Sequence, residues 1–286
     1  MERAERTSPV VVQRATTDRS WLAPDLVAVE EPLAIRVRAG DRTATVGVTM
    51  RTPGDDHELA VGWLLAEGVL QSRRDVLDVS WCVRDEATPT QNFNAVTVQL
   101  TAPELPDLSS LDRHGLVSSA CGVCGRATLD ALEAADLRPV EGTTRVGLDV
   151  LTSLPARLRA GQPTFDETGG LHAAGRADVT GALLDVREDV GRHNAVDKLL
   201  GAALLDGALP WSDQVLVLSG RASYELLQKA VVAAVPVVAA VGAPSSLAIQ
   251  VADTFGITLV GFLRDERANV YTHPDRIQTS THVGSR

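Results

Sequence analysis

The strongest constraint on the fold of this chain is a regular alternation of apolar strands and amphipathic helices that begins near residue 170. Strands are predicted at residues 182–186, 215–218, 237–241 and 257–262, and helices at residues 195–205, 223–235 and 245–255. Continuous apolar strands are typical of a sheet that helices cover on both faces. The pattern therefore predicts a three-layer α/β/α domain, which we assign to residues 113–286.

The first part of the chain has a different pattern, which predicts a small α+β domain of hairpins and one helix at residues 1–112. Residues 1–24 are expected to be a loose tail or an edge segment, and the proline-containing residues 101–112 suit a linker. Apolar spacing predicts strands at residues 33–38, 43–49, 76–84 and 94–100, with a helix at residues 57–70. A chain of 286 residues is long enough for two such domains.

The loops that follow the strands of the second domain carry residues that bind anions. Ligands of open α/β sheets bind beyond the carboxyl ends of the strands, where free N–H groups at helix starts attract phosphate. Glycine permits close approach, serine donates hydrogen bonds and arginine offers a bidentate fork. The loops therefore predict a pocket for a phosphate-bearing organic ligand such as a nucleotide. Its candidate residues are Arg192, His193, Ser219, Gly220, Arg221, Ser245 and Ser246.

Composition excludes several classes of protein. The net charge of −10 disfavours non-specific binding to nucleic acid or to an anionic membrane. The longest apolar run, residues 230–241, contains a proline and is shorter than the roughly 20 residues that span a bilayer. Three cysteines cannot form a disulfide framework, and the charged N-terminus has no apolar signal region, so we expect a cytoplasmic protein. The G-x-G-x-x-G and P-loop motifs are both absent.

Two of the three cysteines, Cys121 and Cys124, form a C-x-x-C pair among small residues that leave sulfur accessible. Residues 127–134 are predicted to be helical, so the pair lies near a helix N-terminus, with Arg126 beside it. Positive charge at that position favours the thiolate. A thiolate in this setting is a nucleophile, a metal ligand or a redox centre.

The residues alone leave three functions open for the cysteine pair. A fourth interpretation is that both cysteines are buried and purely structural. Zinc binding requires further ligands, and the nucleoside-deaminase pattern lacks both its proline and its glutamate here. Disulfide exchange fits the spacing. Thioredoxin-like pairs, however, lie between a strand and a helix near the start of a domain, whereas a long polar region precedes this pair. Sulfur carriage as a persulfide requires a mobile, low-pKa cysteine, which the neighbouring glycines permit.

Other polar residues have structural interpretations that compete with chemistry. His57 and Glu58 at a helix start are expected to be capping groups, and Asp189 and Asp197 to be acids near a helix N-terminus. His172 is expected in a flexible glycine-containing loop, either as a third zinc ligand or facing solvent. The strand residue Cys82 is expected to be a plain buried thiol.

A series of motifs, in order from about residue 30 to residue 275, resembles the FdhD/NarQ family of formate dehydrogenase accessory sulfurtransferases. The set is far more specific than C-x-x-C alone. Its members are Glu31-Pro32-Leu33, residues 50–60, Ser119-Ala120-Cys121-Gly122-Val123-Cys124-Gly125, residues 168–174, residues 188–198, Ser219-Gly220-Arg221, residues 242–246 and residues 261–271.

The resemblance implies a function. Cys121 would carry a persulfide received from a cysteine desulfurase, with Cys124 assisting. The acceptor would be the molybdenum cofactor in its bis-molybdopterin guanine dinucleotide form, bound as a substrate before insertion into formate dehydrogenase, with no permanently bound metal. The family's cofactor-binding stretch falls on Phe262, Leu263, Arg264, Asp265, Glu266 and Arg267.

The resemblance also implies a cytidine-deaminase-like fold for the second domain and a homodimer. The alternative function is a chaperone that binds and escorts the cofactor without transferring sulfur. Zinc binding and disulfide exchange are the remaining alternatives.

Overall fold

The computed structural model describes residues 5–81, 93–109, 111, 137–264 and 266–279. Within these ranges the chain has a mixed α/β fold with six α-helices and fourteen strands in four sheets. The helices are α1 (Asp56–Ala66), α2 (Leu148–Ala160), α3 (Pro163–Thr168), α4 (Arg192–Leu205), α5 (Tyr224–Val232) and α6 (Ser246–Thr254).

The strands of the first half are β1 (Thr7–Ala15), β2 (Ser20–Ala28), β3 (Glu31–Ala39), β4 (Arg42–Arg51), β5 (Val76–Trp81) and β6 (Ala95–Leu100). Those of the second half are β7 (Val146–Gly147), β8 (His172–Asp178), β9 (Leu183–Asp189), β10 (Gln214–Leu218), β11 (Val237–Ala240), β12 (Thr258–Arg264), β13 (Arg267–Val270) and β14 (Ile277–Gln278). The predicted helix at residues 127–134 and the end of the predicted strand at residues 76–84 lie outside the described residues.

The largest sheet has the strand order β13-β12-β11-β10-β8-β9. Strands β10, β11 and β12 are parallel, and β8 is antiparallel to both of its neighbours, β9 and β10. Strand β9 therefore runs in the same direction as β10, β11 and β12. Their carboxyl ends meet at one edge of the sheet, as the alternation of strands and helices predicted.

Helices cover both faces of this sheet, so the predicted three-layer arrangement of the second half is confirmed. On β10, Leu216 and Leu218 pack with apolar residues of α4, α5 and α6, whereas Val215 and Val217 pack with α2. Alternate residues of a strand point to opposite faces. Because both faces of β10 pack against apolar residues of helices, its sequence does not alternate between apolar and polar residues.

Two predictions about local structure are wrong. Residues 7–28 form a two-stranded ribbon in continuous antiparallel register, so of the two alternatives for the N-terminal residues the loose tail is wrong. His172 begins strand β8 instead of lying in a flexible loop, because β8 is inserted between β9 and β10 and hydrogen-bonded on both sides. The small residues of Ala173-Ala174-Gly175 give little periodic signal, so β8 is recognisable only from its neighbours.

The four-stranded sheet of the first half, β4-β3-β6-β5, joins the second half through a close crossing of α1 and α4. A Cβ on Gly62 would overlap the backbone oxygen of Asp197, and a Cβ on Gly201 would overlap that of Glu58. One apolar cluster extends from residues of β3 and α1 to α4. The predicted boundary at residue 112 lies outside the described residues and stays a prediction.

Candidate functional site at the carboxyl edge of the six-stranded sheet

Backbone hydrogen bonds join the loops that leave β10, β11 and β12. Gly242 N donates to Gly220 O at 2.9 Å, and Ser245 N donates to Ala222 O at 2.9 Å. Phe262 N donates to Gly242 O at 3.2 Å. A Cβ on Gly242 would lie 3.0 Å from the backbone of Gly220, so glycine permits this approach. The fold therefore brings three of the four predicted ligand loops together.

The fourth loop, which connects β9 to α4, reaches the same edge through His193. The His193 Nε2 atom lies 3.2 Å from the Ser223 hydroxyl and 2.9 Å from Glu225 Oε2 at the start of α5. The hydrogen bond from His193 lowers the pKa of Glu225 below its usual range. His172, at the start of β8, lies against the neighbouring loop, because a Cβ on Gly220 would be 3.5 Å from its Nδ1.

Four arginines give this edge its positive charge. The Arg192 Nε atom is buried without a hydrogen-bond partner among the described residues. Arg221, Arg264 and Arg267 are exposed, and no described carboxylate forms an ion pair with any of the four. Guanidinium groups without acidic partners are free to bind an anionic ligand. The clustering of arginine, serine and glycine predicted for this edge is therefore present.

The remaining predicted ligand residues differ in what their side chains can reach. Phe262 is 37% exposed and adopts a left-handed backbone (φ 55) at an irregularity in the pairing of β12 with β13. Leu263 is 1% exposed and packs in the core, so its side chain does not line this surface. Ser246 and Glu266 are exposed.

Two predicted serines already hold backbone groups. Ser245 Oγ accepts a hydrogen bond from Ala248 N at 3.2 Å and caps α6. Ser219 Oγ accepts one from Ala173 N at 2.8 Å. Each hydroxyl proton stays available to a ligand. Cys82, Cys121, Cys124 and Asp265 lie outside the described residues.

A buried ion pair anchors the loop that carries Arg192 and His193. Lys198 Nζ lies 2.7 Å from Asp189 Oδ2, and both side chains are fully buried. Asp189 also accepts hydrogen bonds from Thr52 N and Gly191 N, at 3.2 and 2.8 Å. The prediction of helix-start acids is wrong, because Asp189 ends β9, Asp197 lies in the second turn of α4, and the first turn of α4 contains no acid. Through Lys198 and Thr52, Asp189 instead ties α4 to the first half of the chain.

A second buried cluster lies beside the first. The Arg51 guanidinium forms two hydrogen bonds with Asp56, at 3.0 and 3.1 Å, and one with Glu31 at 3.3 Å. Burial raises the pKa of the Asp56 carboxyl, although Arg51 opposes the shift. These charged residues therefore join β3, β4 and α1 within the first half of the chain.

Glu58, Asp197 and His57, for which structural and chemical roles competed, each have a structural partner in the described part of the chain. Glu58 binds Arg187, with distances of 2.7 and 3.1 Å. Asp197 forms a buried ion pair with Lys229 at 2.6 Å, and its pKa is raised by burial. The His57 ring packs against Trp81 with centroids 5.1 Å apart. Within the described ranges, no three His, Asp or Glu side chains are grouped to hold a metal ion.

A groove that the sequence did not reveal opens beside the edge, on the face covered by α2. Its volume is about 510 Å³, and α3 forms one of its walls. Glu188 holds α3 in place by accepting hydrogen bonds from Thr164 N and Phe165 N, at 3.0 and 2.8 Å. The available signal was Pro163, because proline is favoured at the first position of a helix.

His172 lines this groove. Burial, followed by the positive charges of Arg192 and His193, lowers the pKa of His172 below 6.5. The ring is therefore neutral at pH 7, with one nitrogen that donates and one that accepts.

The lowered pKa predicts how His172 affects stability. Near pH 6.5 the unfolded chain binds a proton at this residue that the folded chain does not. Stability therefore falls as the pH drops from 6.5 towards the folded pKa. Between about pH 7.5 and about pH 5, the wild type should lose more stability than His172→Gln in urea unfolding. Parallel stability curves for the two proteins would contradict this prediction.

A helix that spans a bilayer needs about 20 residues, and no helix in the described part of the chain qualifies.

Comparisons with known proteins bear on identity. Residues 28–278 match the sequence profile of the FdhD/NarQ family. A crystal structure from Desulfotalea psychrophila, described provisionally as a formate dehydrogenase accessory protein, has the same fold. Its TM-score is 0.72 at 23% identity, over 96% of this chain and 100% of that one.

Three relatives are each named sulfur carrier protein FdhD. The Streptomyces coelicolor protein is 49% identical over 265 residues, which cover 91% of this chain and 92% of the relative. The Mycobacterium tuberculosis protein is 48% identical over 270 residues, with coverage of 93% and 96%. The Sulfurisphaera tokodaii protein is 42% identical over 268 residues, with coverage of 94% and 98%. With a family profile over most of its length and relatives this similar, the chain belongs to the FdhD/NarQ family.

Proposed function

We propose that this protein is a sulfur carrier that delivers persulfide sulfur to the molybdenum cofactor needed by formate dehydrogenase. The observation that carries the proposal is the match of residues 28–278 to a family whose members are named sulfur carrier protein FdhD. The C-x-x-C pair supports it from within the chain, because Cys121 and Cys124 supply the thiols that sulfur carriage requires.

The chemistry begins at Cys121. Its thiolate attacks the terminal sulfur of a persulfide on a cysteine desulfurase. The S–S bond of the donor breaks, the donor leaves as a thiolate, and Cys121 becomes the persulfide. The thiolate of Cys124 then attacks the Sγ atom of Cys121 and releases the terminal sulfur as sulfide to the acceptor. The resulting Cys121–Cys124 disulfide is reduced by a cellular dithiol before the next cycle.

The acceptor that we propose is the molybdenum cofactor in its bis-molybdopterin guanine dinucleotide form, bound as a substrate at the carboxyl edge of the six-stranded sheet. The residues present suit such an anion. The buried Nε atom of Arg192 lacks a partner among the described residues, and Arg221, Arg264 and Arg267 have no described acidic partner. Pyrophosphate oxygens would satisfy these groups by charge-assisted hydrogen bonds.

The remaining expectations belong to this proposal. They are a cytidine-deaminase-like second domain, a cytoplasmic homodimer, and delivery of the loaded cofactor to formate dehydrogenase. The continuous apolar strands with helices on both faces support the first of these.

The proposal is tested by incubating the full chain with a cysteine desulfurase and L-cysteine and then measuring its intact mass. We expect an adduct of about 32 Da, one sulfur atom, which disappears on treatment with a dithiol reductant. Omitting L-cysteine is the control. A protein that never gains this mass, under conditions in which the desulfurase forms its own persulfide, would exclude the sulfur-carrier function.

A further inference from the structure

His193, at the start of α4, is held by two groups at the start of α5. Its Nε2 atom lies 2.9 Å from Glu225 Oε2 and 3.2 Å from the Ser223 hydroxyl. An ionised carboxylate only accepts hydrogen bonds, so Nε2 carries the proton of the neutral ring. Ser223 is the N-cap residue of α5, yet its hydroxyl caps no backbone N–H and contacts His193 instead. Glu225 therefore fixes one tautomer of His193.

Glu225 is ionised at neutral pH. The hydrogen bond from His193 lowers the pKa of its carboxyl, and the charges of Lys229 and Arg192 act in the same direction. The Glu225 side chain is 59% exposed, so an ion pair with a charged ring would add little to stability. The contact is therefore better suited to orienting the ring than to holding the fold together.

The other ring nitrogen of His193, Nδ1, is open to a ligand. It makes no hydrogen bond within the described ranges, and the side chain is 30% exposed. With Nε2 protonated, Nδ1 of the neutral ring has a lone pair that can accept a proton. His172, which lies at the same edge, has no carboxylate partner in the described part of the chain, and burial lowers its pKa. His193 is thus the better proton acceptor of the two.

The His193 ring lies among the loops to which we assign the acceptor. Its partner Ser223 follows the loop of Arg221, and Ser245 N of the neighbouring loop donates to Ala222 O at 2.9 Å. Arg192, one residue before the histidine, belongs to the arginines that are free to bind an anion. A proton acceptor at this position is therefore adjacent to an anionic acceptor of sulfur.

We propose that His193 accepts the proton that sulfur loses when it reaches the acceptor, and that Glu225 positions His193 for this step. The inference rests on the proposed function. Attack of Cys124 on Cys121 releases hydrosulfide, which still carries one proton, and binding of sulfur to a metal favours its loss. The S–H bond breaks, its electron pair stays on sulfur, and the proton forms an N–H bond at Nδ1. The imidazolium remains paired with Glu225 and later returns the proton to water.

The test separates loading of sulfur from its transfer. The full chain is loaded by desulfurase and L-cysteine, freed of both, and mixed with saturating guanine dinucleotide cofactor that lacks its sulfido ligand. Loss of the sulfur adduct is followed by intact mass. General bases contribute about 10²-fold or more, so His193→Gln should slow the transfer about 10²-fold. Glu225→Gln keeps the size of the side chain and removes its charge, and it should slow the transfer about tenfold.

Three comparisons make the result specific. Glu225→Asp should recover part of the rate, because it restores a carboxylate. The matched control is Asp253→Asn, which removes the acid beside His273 at the far end of α6 and should leave the rate unchanged. All variants should load sulfur as the wild type does, because loading precedes the proton transfer. A wild type that gains no adduct would exclude the sulfur-carrier function. Normal loading with wild-type transfer in Glu225→Gln would overturn only the role of this pair.

A second measurement reads the tautomer directly and does not depend on a variant folding. Nitrogen-15 NMR distinguishes a protonated ring nitrogen from one with a lone pair. In the wild type at about pH 8, where an unperturbed histidine is neutral, we expect the proton of His193 on Nε2. In Glu225→Gln, whose amide can donate as well as accept, we expect both tautomers. A wild-type ring with its proton on Nδ1 could not accept another there, and this result would overturn the proposal.

Discussion

Replacing Cys121 with alanine should abolish the sulfur adduct and leave formate dehydrogenase inactive, while binding of the guanine dinucleotide ligand is retained. Removing a covalent nucleophile leaves only the contributions of binding, so we expect sulfur transfer to fall by at least about 10³-fold. The variant is assayed by intact mass after incubation with desulfurase and L-cysteine. Formate dehydrogenase activity is measured in cells whose own copy of the gene is replaced by the variant.

Two other cysteines provide matched controls for this experiment. Cys82→Ala removes the thiol that the sequence places in a strand, and it should keep both the adduct and the activity. Cys124→Ala should still accept sulfur at Cys121 but release it slowly, so that the adduct accumulates. Full formate dehydrogenase activity with Cys121→Ala would instead favour the chaperone, which escorts the cofactor without transferring sulfur.

Lys198→Met should be the most destabilising single substitution at the joint between the two halves. The variant leaves the carboxylate of Asp189 fully buried without its cation. Breaking a buried ion pair from one side costs about 3–5 kcal/mol of unfolding free energy, because a buried charge remains uncompensated. Lys198 also donates hydrogen bonds to Thr52 O and Glu188 O, at 3.0 and 3.2 Å, and both bonds are lost.

The measurement is urea unfolding followed by circular dichroism. Arg14→Met is the control, because Arg14 pairs with Asp25 at 3.7 Å with side chains 53% and 45% exposed. Such a surface pair contributes about 0–1 kcal/mol. Adding Asp189→Asn to Lys198→Met should recover part of the loss, because the uncompensated charge is removed. A cost no larger than that of Arg14→Met would show that the buried pair does not stabilise the joint.

Much of the second half follows from local sequence pattern. The strands β10, β11 and β12 are apolar runs bounded by loop residues, and the helices between them have apolar faces at helical spacing. Because parallel strands end at a common edge, the sequence also indicated that Arg192, Ser219 and Ser245 would come close together. Backbone hydrogen bonds confirm this for the loops that carry Ser219 and Ser245, and the contact of His193 with Ser223 brings the segment of Arg192 to the same edge.

Other features were beyond local pattern because long-range pairing creates them. Strand β8 has small residues with weak periodicity, and its place between β9 and β10 depends on hydrogen bonds to segments far along the chain. The ribbon of β1 and β2 is largely exposed on both faces, so it lacks the buried alternation by which a strand is recognised. Glu188 and Asp189 are adjacent in the sequence, yet one anchors α3 and the other anchors Lys198.

The sequence by itself determined the chemistry available to this protein: the Cys121–Cys124 pair, the arginine and glycine loops, and the motifs that assign it to its family. Only the tertiary structure decided which motif residues face a ligand and which are buried as structural pairs. It also formed the groove around Gln162 and His172 from α2, α3 and the sheet edge. The physical reason is that residue type and spacing specify local conformation and reactivity, whereas burial and partner depend on contacts between segments distant in sequence.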